Sequence, residues 1–407
     1  MVANKKIYSM DKVFLNLSII FNYLFYIIFN SKELFFICSI IIILSFFSVL
    51  ISIFKSNRIL FLFFSLMLII SLGSAVQVWD ARSIFMFNAK RIFFENNFND
   101  YFKSFGINTH YPIFYPVLAA TLNNFFSHWS EIIPKISILF LSLVPLINIY
   151  NEIKENKKLL FTFLFILTFE HKILNGDLDV LIALYFINSI ILINKIIKIN
   201  YFNYPNYLLI MELLLSNIIF LLTKPQSWSL SIALVISLFI ILTVYKIKLK
   251  KILLILCIIL ISSIPALHWK FITFNNYNYA IQDNLSLNFL LNNFLDFNKF
   301  FKTLFLILDK CIIQKSVMIM SIFLTFAVSK NYYLNKSADI KKLIKSNMFL
   351  MLLLSSIIYF FSLLIINLSI VTNDLETFLN FTVDRYMVPI NMMCLYIGFM
   401  LLNGTKS

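Results

Sequence analysis

The chain has 407 residues, 60% of them hydrophobic and 13% charged, with 34 Lys and Arg against 19 Asp and Glu, a formal charge of +15 and a mean hydropathy of +0.88. So much apolar side chain, spread along the whole length, excludes a water-soluble globule and predicts an all-α polytopic membrane protein. The apolar blocks lack the strict alternation that a membrane barrel needs.

About twelve crossings are predicted within a single integral membrane domain over 1–407. Apolar blocks place them near 13–29, 33–54, 59–78, 135–150, 159–174, 178–194, 207–223, 226–245, 252–267, 311–329, 346–370 and 386–403. The first block follows Lys5, Lys6 and Lys12 and ends without a small-residue cleavage pattern, so it reads as a retained span. Basic residues near span ends stay on the cytoplasmic side. With the N-terminus inside, the lysines of 5–12, 246–251 and 330–345 share that side with few acids. The positive charge then faces anionic inner-leaflet lipid, with no nucleic acid needed to explain it.

Two outer loops are long. The first, 79–134, holds an amphipathic stretch at 84–98 and an apolar one at 113–127 after Tyr111-Pro112. The second, 268–310, sets Leu290, Leu291, Phe294, Phe297, Phe301, Leu304 and Leu308 on one helical face, with Asn288, Asn292, Asp296 and Lys299 on the other. Both are expected to carry helices lying in the interface. All four His and all four Trp fall on the outer side, where an aromatic belt is the plain alternative to a site. Five Gly, none in a GxG or GxxxxGK arrangement, give no visible nucleotide-binding loop. The four Cys sit in or beside apolar blocks as small hydrophobes.

Polar residues at the outer ends of spans are the chemical candidates. Asp80, in Trp79-Asp80-Ala81-Arg82, follows an apolar block directly, so it either lines a wet cavity or ends a helix in solvent beside Arg82. Glu170, His171, Asp177 and Asp179 share the outer loop 170–179. Asp177 and Asp179 open the next span, where the helix dipole favours carboxylates; one acid suffices as a cap, leaving the other to orient a substrate hydroxyl or a cation. Lys224, in Thr223-Lys224-Pro225-Gln226, and Arg385, in Asp384-Arg385-Tyr386, are placed either to clamp a phosphate or to snorkel. Glu212 is the acid that lies clearly within a span.

In chain order, Trp79-Asp80-Ala81-Arg82-Ser83-Ile84, Tyr111-Pro112, Gly176-Asp177-Leu178-Asp179-Val180, Thr223-Lys224 and Asp384-Arg385-Tyr386-Met387-Val388-Pro389 resemble the motifs of bacterial membrane glycosyltransferases of the GT-C superfamily. That class is related to protein O-mannosyltransferases and aminoarabinose transferases. Where the group carries an acid before Tyr-Pro, this chain has His110. The resemblance implies a multi-pass protein of the bacterial cytoplasmic membrane that takes sugar from a polyprenyl-phosphate donor. The acceptor is a glycan, lipid or protein. Asp80 would be the general base; Asp177, Asp179 and Glu170 would position the acceptor or a metal. Lys224, Arg385 and Arg82 would bind the donor phosphate. Trp79, His110, Tyr111, His171 and Tyr386 would line the cavity. No cofactor is certain, and a divalent cation, Mg²⁺ or Mn²⁺, stays open. The competing readings are a transporter or flippase of lipid-linked glycans and an O-antigen-type polymerase.

Overall fold

The computed structural model describes residues 2–29, 31–73, 81–95, 98, 111–174, 177–199, 204–245, 247–276, 287–335, 346–369 and 375–403. It is 91% helical, and no strand occurs among the described residues. Helices α1 (Val2–Phe29), α2 (Phe35–Ser56) and α3 (Arg58–Gly73) come first; a π-helical stretch, Ala81–Met86, then runs into α4 (Phe87–Phe94). They are followed by α5 (Phe114–Phe125), α6 (Ile132–Glu152), α7 (Glu155–Leu174), α8 (Asp179–Lys198), α9 (Tyr204–Thr223), α10 (Gln226–Tyr245) and α11 (Leu249–Asn276). The last five are α12 (Leu287–Leu295), α13 (Phe297–Ile313), α14 (Lys315–Asn335), α15 (Asn347–Ser369) and α16 (Leu375–Asn403).

Nine helices among the described residues are long and apolar enough to cross a membrane, and a tenth span forms if α13 and α14, bent by 75°, are one broken crossing. The nine coincide with nine of the expected blocks, and the bent pair covers a tenth, 311–329. Of the other two expected crossings, 59–78 meets the short apolar helix Arg58–Leu72. The crossing expected at 159–174 falls in α7, whose uncharged run is cut short by Glu155, Lys157 and Lys158 at one end and by Glu170 and Lys172 at the other.

The chain divides into two compact units. The first comprises Met1–Thr162, Glu170–Ser227 and Ile247–Asn276. Its centre is formed by α6 and α8, which are predominantly apolar and buried along most of their length. Helix α8 packs on α6 and α9, and α1 packs on α2, α9 and α5. The segment around 113–127 departs from expectation. It forms α5, and Phe114 to Asn123 are buried on all sides instead of resting half-exposed in an interface. Asn123 explains the difference: its Nδ2 donates to the Ala119 carbonyl at 3.0 Å and its Oδ1 accepts from the Ser130 N–H at 2.7 Å, so its polar groups are satisfied inside the protein. Trp269, a belt candidate, is also buried, with Phe98 at 6.3 Å.

A buried polar network runs through this unit. Lys12 Nζ on α1 donates to Glu212 Oε1 on α9 at 2.7 Å and to Asn148 Oδ1 on α6 at 2.7 Å. Asn148 Nδ2 donates to Glu212 Oε1 and to Asn188 Oδ1 on α8, both at 2.6 Å. Asn188 in turn donates to Ser216 Oγ at 3.1 Å. Lys12, expected as a cytoplasmic loop cation, is therefore an inward-facing residue of a span whose charge Glu212 balances. Isolated, either charge would be costly in a bilayer; paired and hydrogen-bonded, they tie α1, α6, α8 and α9 together. Asn22 and Thr121 similarly join α1 to α5 at 3.0 Å.

The second unit comprises Phe163–Phe169, Trp228–Lys246 and Tyr277–Ser407. In it α16 packs on α13, α14 and α15. The approach of α16 to α14 depends on Gly398: a Cβ there would clash with the ring of Phe323. Asp296 ends α12 and caps α13, accepting from the backbone N–H groups of Asn298 and Lys299 at 3.1 and 3.2 Å. On these two helices Leu291, Phe294, Phe297, Phe301 and Phe305 point away from the protein, whereas Asn293, Thr303, Ile307 and Cys311 face inward. An outward apolar face of this kind suits contact with lipid.

Candidate functional site

The site grows from the junctions between α7, α8, α9 and α10. The N–H of Asp177 reaches back to the Lys172 carbonyl at 2.9 Å, closing the end of α7. Asp177 Oδ1 then accepts from the N–H of Asp179 at 2.9 Å and satisfies a donor of the first turn of α8. With that capping provided by Asp177, the Asp179 side chain is available for another partner. Its Oδ1 accepts from Lys224 Nζ at 2.7 Å, and Asp177 Oδ1 lies 3.8 Å from the same nitrogen.

Lys224 follows the last residue of α9. Its carbonyl accepts from both the N–H of Ser227, at 3.1 Å, and the Ser227 hydroxyl, at 2.6 Å, which fixes the tight α9–α10 connection. The Lys224 side chain is fully enclosed, and Asp177 and Asp179 are nearly so. The ring of Phe85, from the π-helical stretch, has its centroid 6.0 Å from the ammonium, within cation–π range. Phe85 also meets Tyr111 edge-on at 5.7 Å and Tyr115 at 5.8 Å. Tyr115 is held in turn by a 2.6 Å hydrogen bond to the Pro134 carbonyl.

The electrostatics are those of two carboxylates sharing one ammonium. Burial, and next the neighbouring Asp179 carboxylate, push the Asp177 carboxyl up to about 7, against an opposing pull from Lys224. With Asp177 protonated the trio is neutral; with it ionised the trio carries one buried negative charge. A carboxyl that titrates near neutral pH is suited to exchanging protons.

Of the residues expected to form a site, the structure thus brings Asp177, Asp179 and Lys224 into direct contact and links Tyr111 to them through Phe85. Trp79, Asp80 and His110 lie outside the described residues, as do the side chains of Arg82, Glu170 and His171. Arg385 and Tyr386 belong to the second unit, where Tyr386 stacks on Tyr359 with centroids 5.6 Å apart. Lys224 was expected to face a phosphate. It faces carboxylates here, so a clamp role would require its bond to Asp179 to open.

The arrangement can also be tested against a divalent cation. Mg²⁺ needs oxygen ligands at about 2.0–2.1 Å in near-octahedral geometry. The space between Asp177 and Asp179 holds the Lys224 ammonium, and among the described residues no group of three His, Cys, Asp or Glu could hold a metal. The described residues at this position do not fit a metal. The chain matches no protein-family model, no curated protein and no solved structure.

Phe85 was not singled out by sequence. The available signal was its place five residues after Asp80 on the same apolar run, in a segment whose wide helical turn is of the kind often found at functional sites.

Proposed function

We propose that the chain is an integral membrane glycosyltransferase of the GT-C type. It would move a sugar from a polyprenyl-phosphate donor to an acceptor hydroxyl of a glycan, lipid or protein at the extracytoplasmic face. In this reading the N-terminus is cytoplasmic, about twelve segments cross the bacterial inner membrane, and the apolar face of α12 and α13 lies in its interface. The observation that carries it is the meeting of Asp177, Asp179 and Lys224, from two of the resembling motifs, beside Phe85, the residue directly after a third, and through it Tyr111, which belongs to a fourth.

In the proposed mechanism Asp80 takes the proton of the acceptor hydroxyl as it attacks the anomeric carbon, with inversion. Positioned general-base catalysis contributes about 10²- to 10⁴-fold. Arg82 neutralises the departing polyprenyl phosphate by bidentate hydrogen bonding. The Asp177–Asp179–Lys224 cluster holds the ends of α7, α8 and α9 in register and orients the acceptor. The lipid carrier supplies its own leaving group, which agrees with the lack of a visible nucleotide loop. Replacing Asp80 by Asn should abolish sugar transfer in a reconstituted assay while the protein still elutes as a folded species in detergent; undiminished transfer would remove Asp80 from the mechanism.

A second reading, a transporter of lipid-linked glycan, draws support from the Lys12–Glu212–Asn148–Asn188 network, since ionisable residues within spans often line ion or substrate paths. Substrate flux into proteoliposomes without glycosylated product would favour it.

A further inference from the structure

We infer that the resident cation of the Asp177–Asp179 pair is the ammonium of Lys224, and that this site works without a divalent metal. The inference deepens the glycosyltransferase reading by fixing how the acidic motif is neutralised, although its binding test needs no glycan.

Three observations carry it. Lys224 Nζ occupies the position a cation would take, 2.7 Å from Asp179 Oδ1 and 3.8 Å from Asp177 Oδ1. The ammonium cannot swing aside into water, because the side chain is fully enclosed, with the Phe85 ring against it, and its backbone is pinned by the double contact from Ser227. A metal ion drawn to the same oxygens would sit within a few ångströms of a fixed positive charge, a like-charge contact that low-dielectric surroundings make costly. The charge balance points the same way: the Lys224 ammonium already offsets one of the two carboxylates and Lys172 also acts on Asp177, so a dication would meet little net negative charge. Among the described residues, these two carboxylates also fall short of a six-oxygen shell.

Mn²⁺ titration followed by electron paramagnetic resonance, on the full chain in detergent, tests the inference. The wild-type protein should take up no stoichiometric Mn²⁺ that Asp177→Asn or Asp179→Asn removes, and chelation with EDTA should leave sugar transfer unchanged. Lys224→Ala should uncover the carboxylates and bind Mn²⁺ roughly tenfold or more tightly than wild type. The gain should vanish in Lys224→Ala/Asp179→Asn. Stoichiometric Mn²⁺ on the wild type that Asp177→Asn abolishes would overturn the inference. So would a folded Lys224→Ala protein with no gain in Mn²⁺ affinity. If Lys224→Ala fails to fold, the comparison of wild type with Asp177→Asn decides alone. Should Asp80→Asn retain transfer, the mechanism proposed above falls while the Mn²⁺ result stands on its own.

Discussion

Asp177 carries a carboxyl whose charge depends on pH near neutrality. Its carboxyl is raised to about 7, first by burial and then by Asp179. Between the ordinary carboxylate range and pH 7 the folded chain keeps a proton that an unfolded chain releases, so stability declines as pH rises through that window. Thermal melting in detergent should therefore be higher at pH 5.5 than at pH 8, and Asp177→Asn should flatten the difference; a variant with the same pH slope as wild type would dissociate Asp177 from it. Lys224 answers to the same logic from the opposite side. Lys224→Met leaves two enclosed carboxylates without their cation and should cost about 3–5 kcal/mol of stability, read as a lower melting temperature or chemical-denaturation midpoint. Sequence singled out all three residues, yet gave the acids and the lysine separate roles. That Lys224 meets Asp179 across 45 positions is a long-range fact that neither spacing nor periodicity encodes.

At the scale of helices, hydropathy was a good guide wherever an element is apolar and long, as in α6, α8, α9 and α15. It misled where a short helix buries its polar groups. Helix α5 was read as interfacial because Asn interrupts it, but Asn22–Thr121 and the bonds of Asn123 make it an interior helix. Lys12 was counted with the cytoplasmic lysines because a charge near the start of a span is normally a flank. Only its partner, Glu212 on a distant helix, turns it inward. The pair suits a double-mutant cycle. Lys12→Met or Glu212→Gln alone should destabilise by roughly 3–5 kcal/mol, whereas Lys12→Met/Glu212→Met should recover a large part of the loss. Additive losses would mean that the two side chains act independently. In the second unit, Gly398→Ala pushes a methyl group against Phe323 and should cost about 1–3 kcal/mol. Gly398→Ala with Phe323→Leu should restore packing, and failure to do so would place the strain elsewhere.

For the molecule as a whole, the composition alone announced a membrane protein, and the helices agree. Orientation rests on the distribution of lysines, and it can be measured. In a background lacking the four native Cys, Lys248→Cys should react with a membrane-impermeant thiol reagent only from the cytosolic side, and His128→Cys only from outside. The reverse labelling would invert every assignment made from charge.

The pairing of Lys12 with Glu212 also bears on how the protein is made. The two residues are 200 positions apart, so at about 5–20 residues per second translation needs roughly 10–40 s to produce the second after the first. During that interval the leading helix enters the bilayer with an unmatched ammonium, which must stay close to the aqueous boundary until the fifth of the nine long apolar segments, Asn206–Thr223, is threaded in. Its final depth is thus set late in biogenesis, and a nascent chain arrested before Glu212 should hold α1 loosely enough to be released by conditions that leave the finished protein untouched.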